Sequence, residues 1–361
     1  MKKILILAGE ESGLLYARSI ASRLHALPGG CETRGYSDYG FKTADLAVMG
    51  FWAVIRRLFY FLRVRRTMER AIREWRPDAV CSIDYPGMNL VLSAYAKKLG
   101  IKTLHVVCPQ VWAWKKGRIP KIEASVDSLC CFFPFEPALF RPGFAFFAGH
   151  PLVEEFRKAG YSASREPNTV ALLPGSRIGE IERNLPIMLE AAAKLPGATF
   201  RIPAASLQAK TAIQRIVSAS GIGAERLSVC SGKARDVLLR ARCAVVASGT
   251  ATLEAALARC PTVLVYRIDR ALAWFARRVI REIRHVGLLN VVWEKCDGTG
   301  DSPMPELLQE EFTAANVLAL VKPWLEDDSE CAKAVKKLDG ALALFGGDGS
   351  DPVDEIVRRL S

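Results

Sequence analysis

Reactive side chains in this sequence gather just after short apolar runs. The run 2–8 ends in Ala8-Gly9-Glu10-Glu11-Ser12-Gly13. Two glycines there would let a ligand approach the backbone, and a helix start would offer it free N–H groups. The same residues would also make an ordinary strand-to-helix turn with Ser12 as N-cap. Asp84 closes a second run in Ile83-Asp84-Tyr85-Pro86-Gly87-Met88-Asn89. A carboxylate in that place can take a proton from a substrate hydroxyl, or cap the following helix. Leu173-Pro174-Gly175-Ser176-Arg177 joins a glycine turn, a hydroxyl and a fixed cation at a helix start, a good cradle for an anion. It lacks the Lys-Ser/Thr ending of a nucleotide-hydrolysing P-loop. Ser248-Gly249-Thr250 repeats the pattern, with Glu254 one turn inside the helix, where a carboxylate can accept two hydrogen bonds from ribose hydroxyls. Both stretches in one half of the chain describe a nucleoside-diphosphate pocket. Trp112 and Trp114, beside Lys115 and Lys116, could stack on a sugar or lie at a lipid boundary.

Residues 51–76 carry a different chemistry. Phe51, Val54, Ile55, Leu58, Phe61 and Leu62 recur at helical spacing, with Arg56, Arg63 and Arg70 opposite and Arg65 within the apolar face. Eight arginines against Glu69 and Glu74 give +6. That is the composition of a helix lying in an anionic interface, although an amphipathic stripe can also be plain core packing. The stretch lacks the interleaved glycines and aromatic platform of common RNA-binding modules.

The elements that must position these residues alternate strand, loop and helix. Apolar runs at 2–8, 79–84, 102–108 and 128–133 form one series of strands. Runs at 169–173, 198–202, 227–230, 244–247 and 262–265 form another. Helical stretches between them (12–27, 88–99, 178–195) predict doubly wound parallel sheets. Two series predict an α/β protein of two Rossmann-like halves facing each other. The first would span 1–160, joined by a C-terminal segment 340–361 that carries a short helix, and the second 168–335. No internal sequence repeat is visible. Ligands of such sheets bind beyond the carboxyl ends of the strands, which is where the reactive residues fall.

Composition narrows the classes. The 361 residues, half of them hydrophobic, suit two globular domains and exclude a disordered chain. Of the net charge of +12, residues 1–150 hold +10 and the rest +2, so an anionic partner is expected on the first half. The ten cysteines form no C-x-x-C, and neither a zinc site nor a secreted disulfide framework is expected. The first ten residues begin like a signal peptide but run into Glu10 and Glu11, and no apolar run reaches a membrane span. A cytoplasmic location follows as the expectation.

In order along the chain, AGEESG (8–13), DLAVMGFWAVI (45–55), SIDYPGMN (82–89), the block ending VWAW (101–114), FPFE (133–136), GHPLVEEF (149–156), LLPGSRIGEIERNLP (172–186), ASGTATLEAAL (247–257), PTVLVYR (261–267) and PELLQEE (305–311) resemble the lipid-A-disaccharide synthase family. The resemblance implies a GT-B glycosyltransferase without a cofactor. It would transfer 2,3-diacylglucosamine from UDP to 2,3-diacylglucosamine 1-phosphate, giving a β-1,6 disaccharide and UDP with inversion. It implies Asp84 as general base on the acceptor 6-hydroxyl, with Glu10 a second candidate, and Arg177 stabilising the leaving diphosphate. Donor contacts would be Gly175, Ser176, Arg177, Ser248, Gly249, Thr250, Glu254, Asn290, Gln309 and Glu310. Gly9, Ser12, Gly13, Trp112 and Trp114 would lie on the acceptor side, and the 51–76 helix would meet the cytoplasmic face of the inner membrane. No Asp-x-Asp triplet offers a metal site, and no nucleic acid is expected; a homodimer is compatible with the pattern. The chain departs from the family pattern at Leu14, at Gln110 and in a shortened segment between Glu32 and Ala44, all on the expected acceptor side. Rival readings are another UDP-sugar enzyme of the same fold, such as the peptidoglycan N-acetylglucosaminyl transferase or a UDP-sugar 2-epimerase, and a non-catalytic membrane- or nucleic-acid-binding protein.

Overall fold

Apolar runs too short for helices, each bounded by glycine or a polar turn, form two six-stranded parallel sheets. The computed structural model describes residues 1–46, 58–113, 116–161, 164–268, 284–296, 299–346 and 351–361. The chain divides into two units, Met1–Glu154 with Gly347–Ser361, and Glu155–Gly346.

In the first unit the strands are β1 (Lys2–Ala8), β2 (Cys31–Arg34), β3 (Ala79–Ile83), β4 (Lys102–Val106), β5 (Ser128–Cys131) and β6 (Ala145–Phe147), in the order β2-β1-β3-β4-β5-β6. The helices are α1 (Glu11–His25), α2 (Thr43–Leu46), α3 (Leu58–Trp75), α4 (Pro86–Lys98) and α5 (Ile119–Ser125); α6 (Pro151–Ala159) spans the division between units. β1 and β3 are almost wholly buried because helices cover both faces of the sheet, which is why they read as unbroken apolar runs. One layer packs Ile4, Ile6, Ile20 and Leu24 against the last helix, through Val353, Ile356, Val357 and Leu360. The other packs Leu5, Leu7 and Val80 against Val64, Met68 and Ile72 of α3.

The second unit holds β7 (Glu166–Leu173), β8 (Thr199–Ala204), β9 (Leu227–Ser231), β10 (Ala241–Ala247), β11 (Thr262–Tyr266) and β12 (Glu306–Leu308), in the order β12-β11-β10-β7-β8-β9. Numbered from its own first strand, that is 3-2-1-4-5-6, the dinucleotide-binding order. Its helices are α7 (Ile178–Ala193), α8 (Leu207–Ser218), α9 (Ala234–Leu238), α10 (Thr250–Leu257), α11 (Leu288–Cys296), α12 (Ala314–Glu326) and α13 (Asp328–Ala343), and α14 (Pro352–Leu360) returns to the first unit. Arg23 of α1 pairs there with Asp351 and Asp354.

Each sheet has a point where the strand order reverses. In the first it lies between β1 and β3, paired from Ile4↔Ala79 to Ala8↔Ile83. In the second it lies between β7 and β10, where Val246 pairs with Leu173. No helix among the described residues is long and apolar enough to cross a membrane.

Candidate active site

Glu10 lies two residues beyond Ala8 and Asp84 one beyond Ile83, so the register of β1 on β3 brings both carboxylates to one switch point. Asp84 and Tyr85 are both left-handed, at φ 48° and 49°. Two such non-glycine residues cost about 1–3 kcal/mol each and persist only where their surroundings hold them. Asn89 supplies that hold. Its buried amide donates to the carbonyls of Leu7 (3.1 Å), Ile83 (3.1 Å) and Asp84 (2.8 Å), and its oxygen accepts from the Tyr36 hydroxyl (2.7 Å). The Asp84 N–H donates to Val106 (2.9 Å). Tyr85, not Asp84, is the N-cap of α4, so Asp84 is not spent on capping. Burial pushes its carboxyl above the ordinary 3.8, against the Tyr85 N–H, which lowers it. Burial also raises Glu10, and the charge of Asp84 raises it further.

The glycines of the first loop serve packing. A Cβ on Gly9 would lie 2.4 Å from the Tyr85 ring, so the space a ligand was expected to use holds Tyr85. Gly13 faces Ala8 and Ile83 at ordinary contact distance. α1 starts at Glu11 with Glu10 in the N-cap position, so Ser12 is not the N-cap.

Trp112 is buried, not presented as a platform. It lies edge-on to Phe133 and Phe135, and its indole N–H donates to Glu136 (3.0 Å). The second Glu136 oxygen accepts from the Phe133 N–H (3.2 Å). Burial pushes this carboxyl up to about 7, held down from higher by those donors. Cys108, Cys131 and Glu136 bring their ligand atoms within 4.8 Å of one another. This strut ties the loop after β4 to the turn after β5. Its signal was the FPFE stretch, where the carboxylate stood without an assigned role. Trp114 lies outside the described residues.

In the second unit, the turn after β7 brings Gly175, Ser176 and Arg177 to the switch point, and the turn after β10 brings Ser248, Gly249 and Thr250. Gly175 is at φ 119°, and a Cβ there would lie 2.6 Å from Glu180. Glu180 was missed by sequence reasoning, although it stands in the N3 place of a capping box. Its carboxylate accepts from the N–H groups of Ser176 (3.2 Å) and Arg177 (3.3 Å), and from the Arg177 guanidinium (2.8 Å). The groups expected to cradle a phosphate thus already hold an anion, supplied by the chain itself. Gly249 and Thr250 are exposed at the start of α10, and Ser248 donates to the Val286 carbonyl (3.3 Å). Glu254 is half-buried and makes no hydrogen bond or ion pair among the described residues; burial raises its pKa and nearby Arg235 lowers it.

The remaining donor expectations fare differently. Asn290 is fully buried, donates to Met304 (2.7 Å) and Glu306 (2.7 Å) and accepts from the Met304 N–H (3.0 Å). It fastens β12 to α11. Gln309 takes φ 52°, its carbonyl accepts from Arg267 (3.1 Å), and its amide faces the backbone of Ile268 at 3.2 Å. Glu310 is exposed.

On the expected membrane helix, Phe51, Val54, Ile55 and Arg56 lie outside the described residues. Leu58 and Leu62 are exposed, as is Phe59 at 86%, which the sequence reading passed over. Phe61 instead packs on the Val64–Met68–Ile72 core, because positions three, seven and eleven residues apart share the inward face. Arg63, Arg66 and Arg70 line a surface hollow with Phe59 and Leu62.

Two Rossmann-like units, each a six-stranded parallel sheet with one reversal of strand order, define the GT-B architecture. Solved structures agree on the fold. A putative UDP-N-acetylglucosamine 2-epimerase from Listeria monocytogenes matches with TM-score 0.61 over 99% of this chain and 95% of its own, at 14% identity. MurG from Acinetobacter baumannii matches with TM-score 0.60 over 100% and 99%, at 14% identity. The calicheamicin glycosyltransferase CalG4 matches with TM-score 0.60 over 100% and 98%, also at 14%. The family model for lipid-A-disaccharide synthetase matches residues 4–344. The chain is 35% identical to the lipid-A-disaccharide synthase of Syntrophus aciditrophicus, over 89% of this chain and 88% of the relative. It is 36% identical to that of Neisseria gonorrhoeae, over 83% and 78%. The chain belongs to the lipid-A-disaccharide synthase family and is a glycosyltransferase of lipid A disaccharide synthesis.

Proposed function

We propose that this enzyme condenses UDP-2,3-diacylglucosamine with 2,3-diacylglucosamine 1-phosphate to give the β-1,6 disaccharide 1-phosphate and UDP. Asp84 takes the proton from the acceptor 6-hydroxyl as its oxygen attacks the anomeric carbon, and the bond to the diphosphate breaks on the opposite face. Negative charge grows on the leaving oxygen. Arg177 and the N–H groups at the starts of α7 and α10 stabilise it, once the phosphate has displaced the Glu180 carboxylate. Glu254 receives the ribose hydroxyls. The observation that carries the reading is the pairing of β1 with β3, which delivers two coupled, half-desolvated carboxylates to one switch point. A raised pKa suits a base that must hold a proton in the transition state.

Both substrates carry acyl chains and must be met at a membrane. Exposed Leu58, Phe59 and Leu62 beside Arg63, Arg66 and Arg70 support attachment of α3 to an anionic bilayer surface, which we place on the cytoplasmic side of the inner membrane. The test is direct. Purified protein is incubated with UDP-diacylglucosamine and diacylglucosamine 1-phosphate, and the lipids are separated by mass. Disaccharide phosphate and stoichiometric UDP are expected. UDP release without disaccharide, or an epimerised donor, would overturn the reading.

A further inference from the structure

A groove of about 360 Å³ runs down the outer face of α4, between α3 and α5. Its floor is apolar: Leu90, Val91 and Ala94 from α4, and Ile122 from α5. Its rim is cationic. Arg118 and Lys121 stand on the α5 side, three residues apart, and Lys98 stands at the far end. No carboxylate pairs with any of these three among the described residues, whereas Arg65 across the groove is taken by Glu69 (2.8 Å). Pro86 and Gly87, at the start of α4 and two and three residues after Asp84, line one end of the groove, which follows the helix for about 18 Å.

An apolar floor under unpaired cations matches neither a free sugar nor a free phosphate. It matches one molecule that carries both an acyl chain and a phosphate. We propose that this groove binds an acyl-chain phosphate amphiphile, with the chain along Leu90, Val91, Ala94 and Ile122 and the phosphate between Arg118 and Lys121. The proposal rests on the transfer reading in one respect: the acceptor belongs to this chemical class, and the groove would lead its chain away from Asp84.

The experiment uses the full chain and probes that are not substrates. Binding of n-alkyl phosphates is measured below their micellar concentrations, beside neutral alkyl glycosides of equal chain length. For the phosphates, affinity should rise about fourfold per added methylene until the floor is covered, then level off. Arg118→Gln with Lys121→Gln should weaken the alkyl phosphate roughly tenfold and leave the glycoside unchanged. Ala94→Trp, which fills the floor, should abolish the chain-length dependence while UDP affinity and thermal stability stay as in wild type. Inorganic phosphate at millimolar concentration should not compete. Equal losses for phosphate and glycoside in the double variant, or chain-length dependence that survives Ala94→Trp, would overturn the proposal. Alkyl phosphate binding that follows these rules in a protein that makes no disaccharide would leave the groove standing and remove the transfer reading. Disaccharide synthesis with no effect of either variant on binding would do the reverse.

Discussion

Asp84 owes its chemistry to the backbone around it. Left-handed geometry at Asp84 and Tyr85, held by three donations from Asn89, leaves the carboxylate uncommitted to the helix cap. Because its pKa is raised above 3.8, turnover should climb with pH through that raised value as the base ionises, then flatten. The charge of Asp84 raises Glu10, whereas burial is what raises Asp84. Asp84→Asn should therefore remove the charge that raises Glu10 and lower the Glu10 pKa in an NMR titration, and an unmoved Glu10 would show that it does not face Asp84. Glu136 offers a stability test. Its folded pKa of about 7 lies above the ordinary 4.5, so its contribution is fully present below pH 4.5 and fades as pH rises through about 7. The difference is worth about 3 kcal/mol at most. Glu136→Gln should flatten the pH dependence of the urea midpoint over that interval; an unchanged slope would contradict a buried, protonated Glu136. The places of Asp84 and Arg177 just beyond β3 and β7 were legible in the sequence because the end of an apolar run is a local signal. Asn89, Glu136 and Glu180 were not, because their work is to bond groups that only the fold brings near. The internal bonds of Asn290 and the burial of Trp112 were hidden for the same reason.

At the scale of elements, central strands announced themselves, and of the four edge strands only β9 did. β1, β3, β4, β7 and β10 are apolar runs because both faces are covered. β2 (CETR), β6 (AFF) and β12 (ELL) are three or four residues long and only partly buried, too little pattern to read. β2 runs into the start of the segment that the sequence marks as shortened, and it is the outer strand on that side of the first sheet. α3 shows how one amphipathic stripe conceals two faces. Val64, Met68 and Ile72 point inward and are fully buried, whereas Leu58, Phe59 and Leu62 remain outside. Leu58→Ser with Phe59→Ser should reduce cosedimentation with anionic vesicles severalfold, and raising salt should do likewise through the arginines. Binding that resists both would make the helix a purely structural one.

Across the whole molecule, two parallel sheets of six strands arise from halves that share no visible sequence repeat. What they share is physical: a buried strand, a turn, and a reversal of strand order that leaves an open crevice at the carboxyl edge. Their charges differ, since nearly all of the positive excess lies in the first 150 residues. In the proposed mechanism the first unit meets anionic lipid and holds the base, and the second holds the nucleotide. Division of labour predicts separable defects: damage in the first unit should spare UDP binding by the second. Asp84→Asn tests this most directly, with turnover and UDP affinity measured on the same preparation. Turnover should fall by about two to four orders of magnitude while UDP affinity is unchanged; near-wild-type turnover would contradict the account.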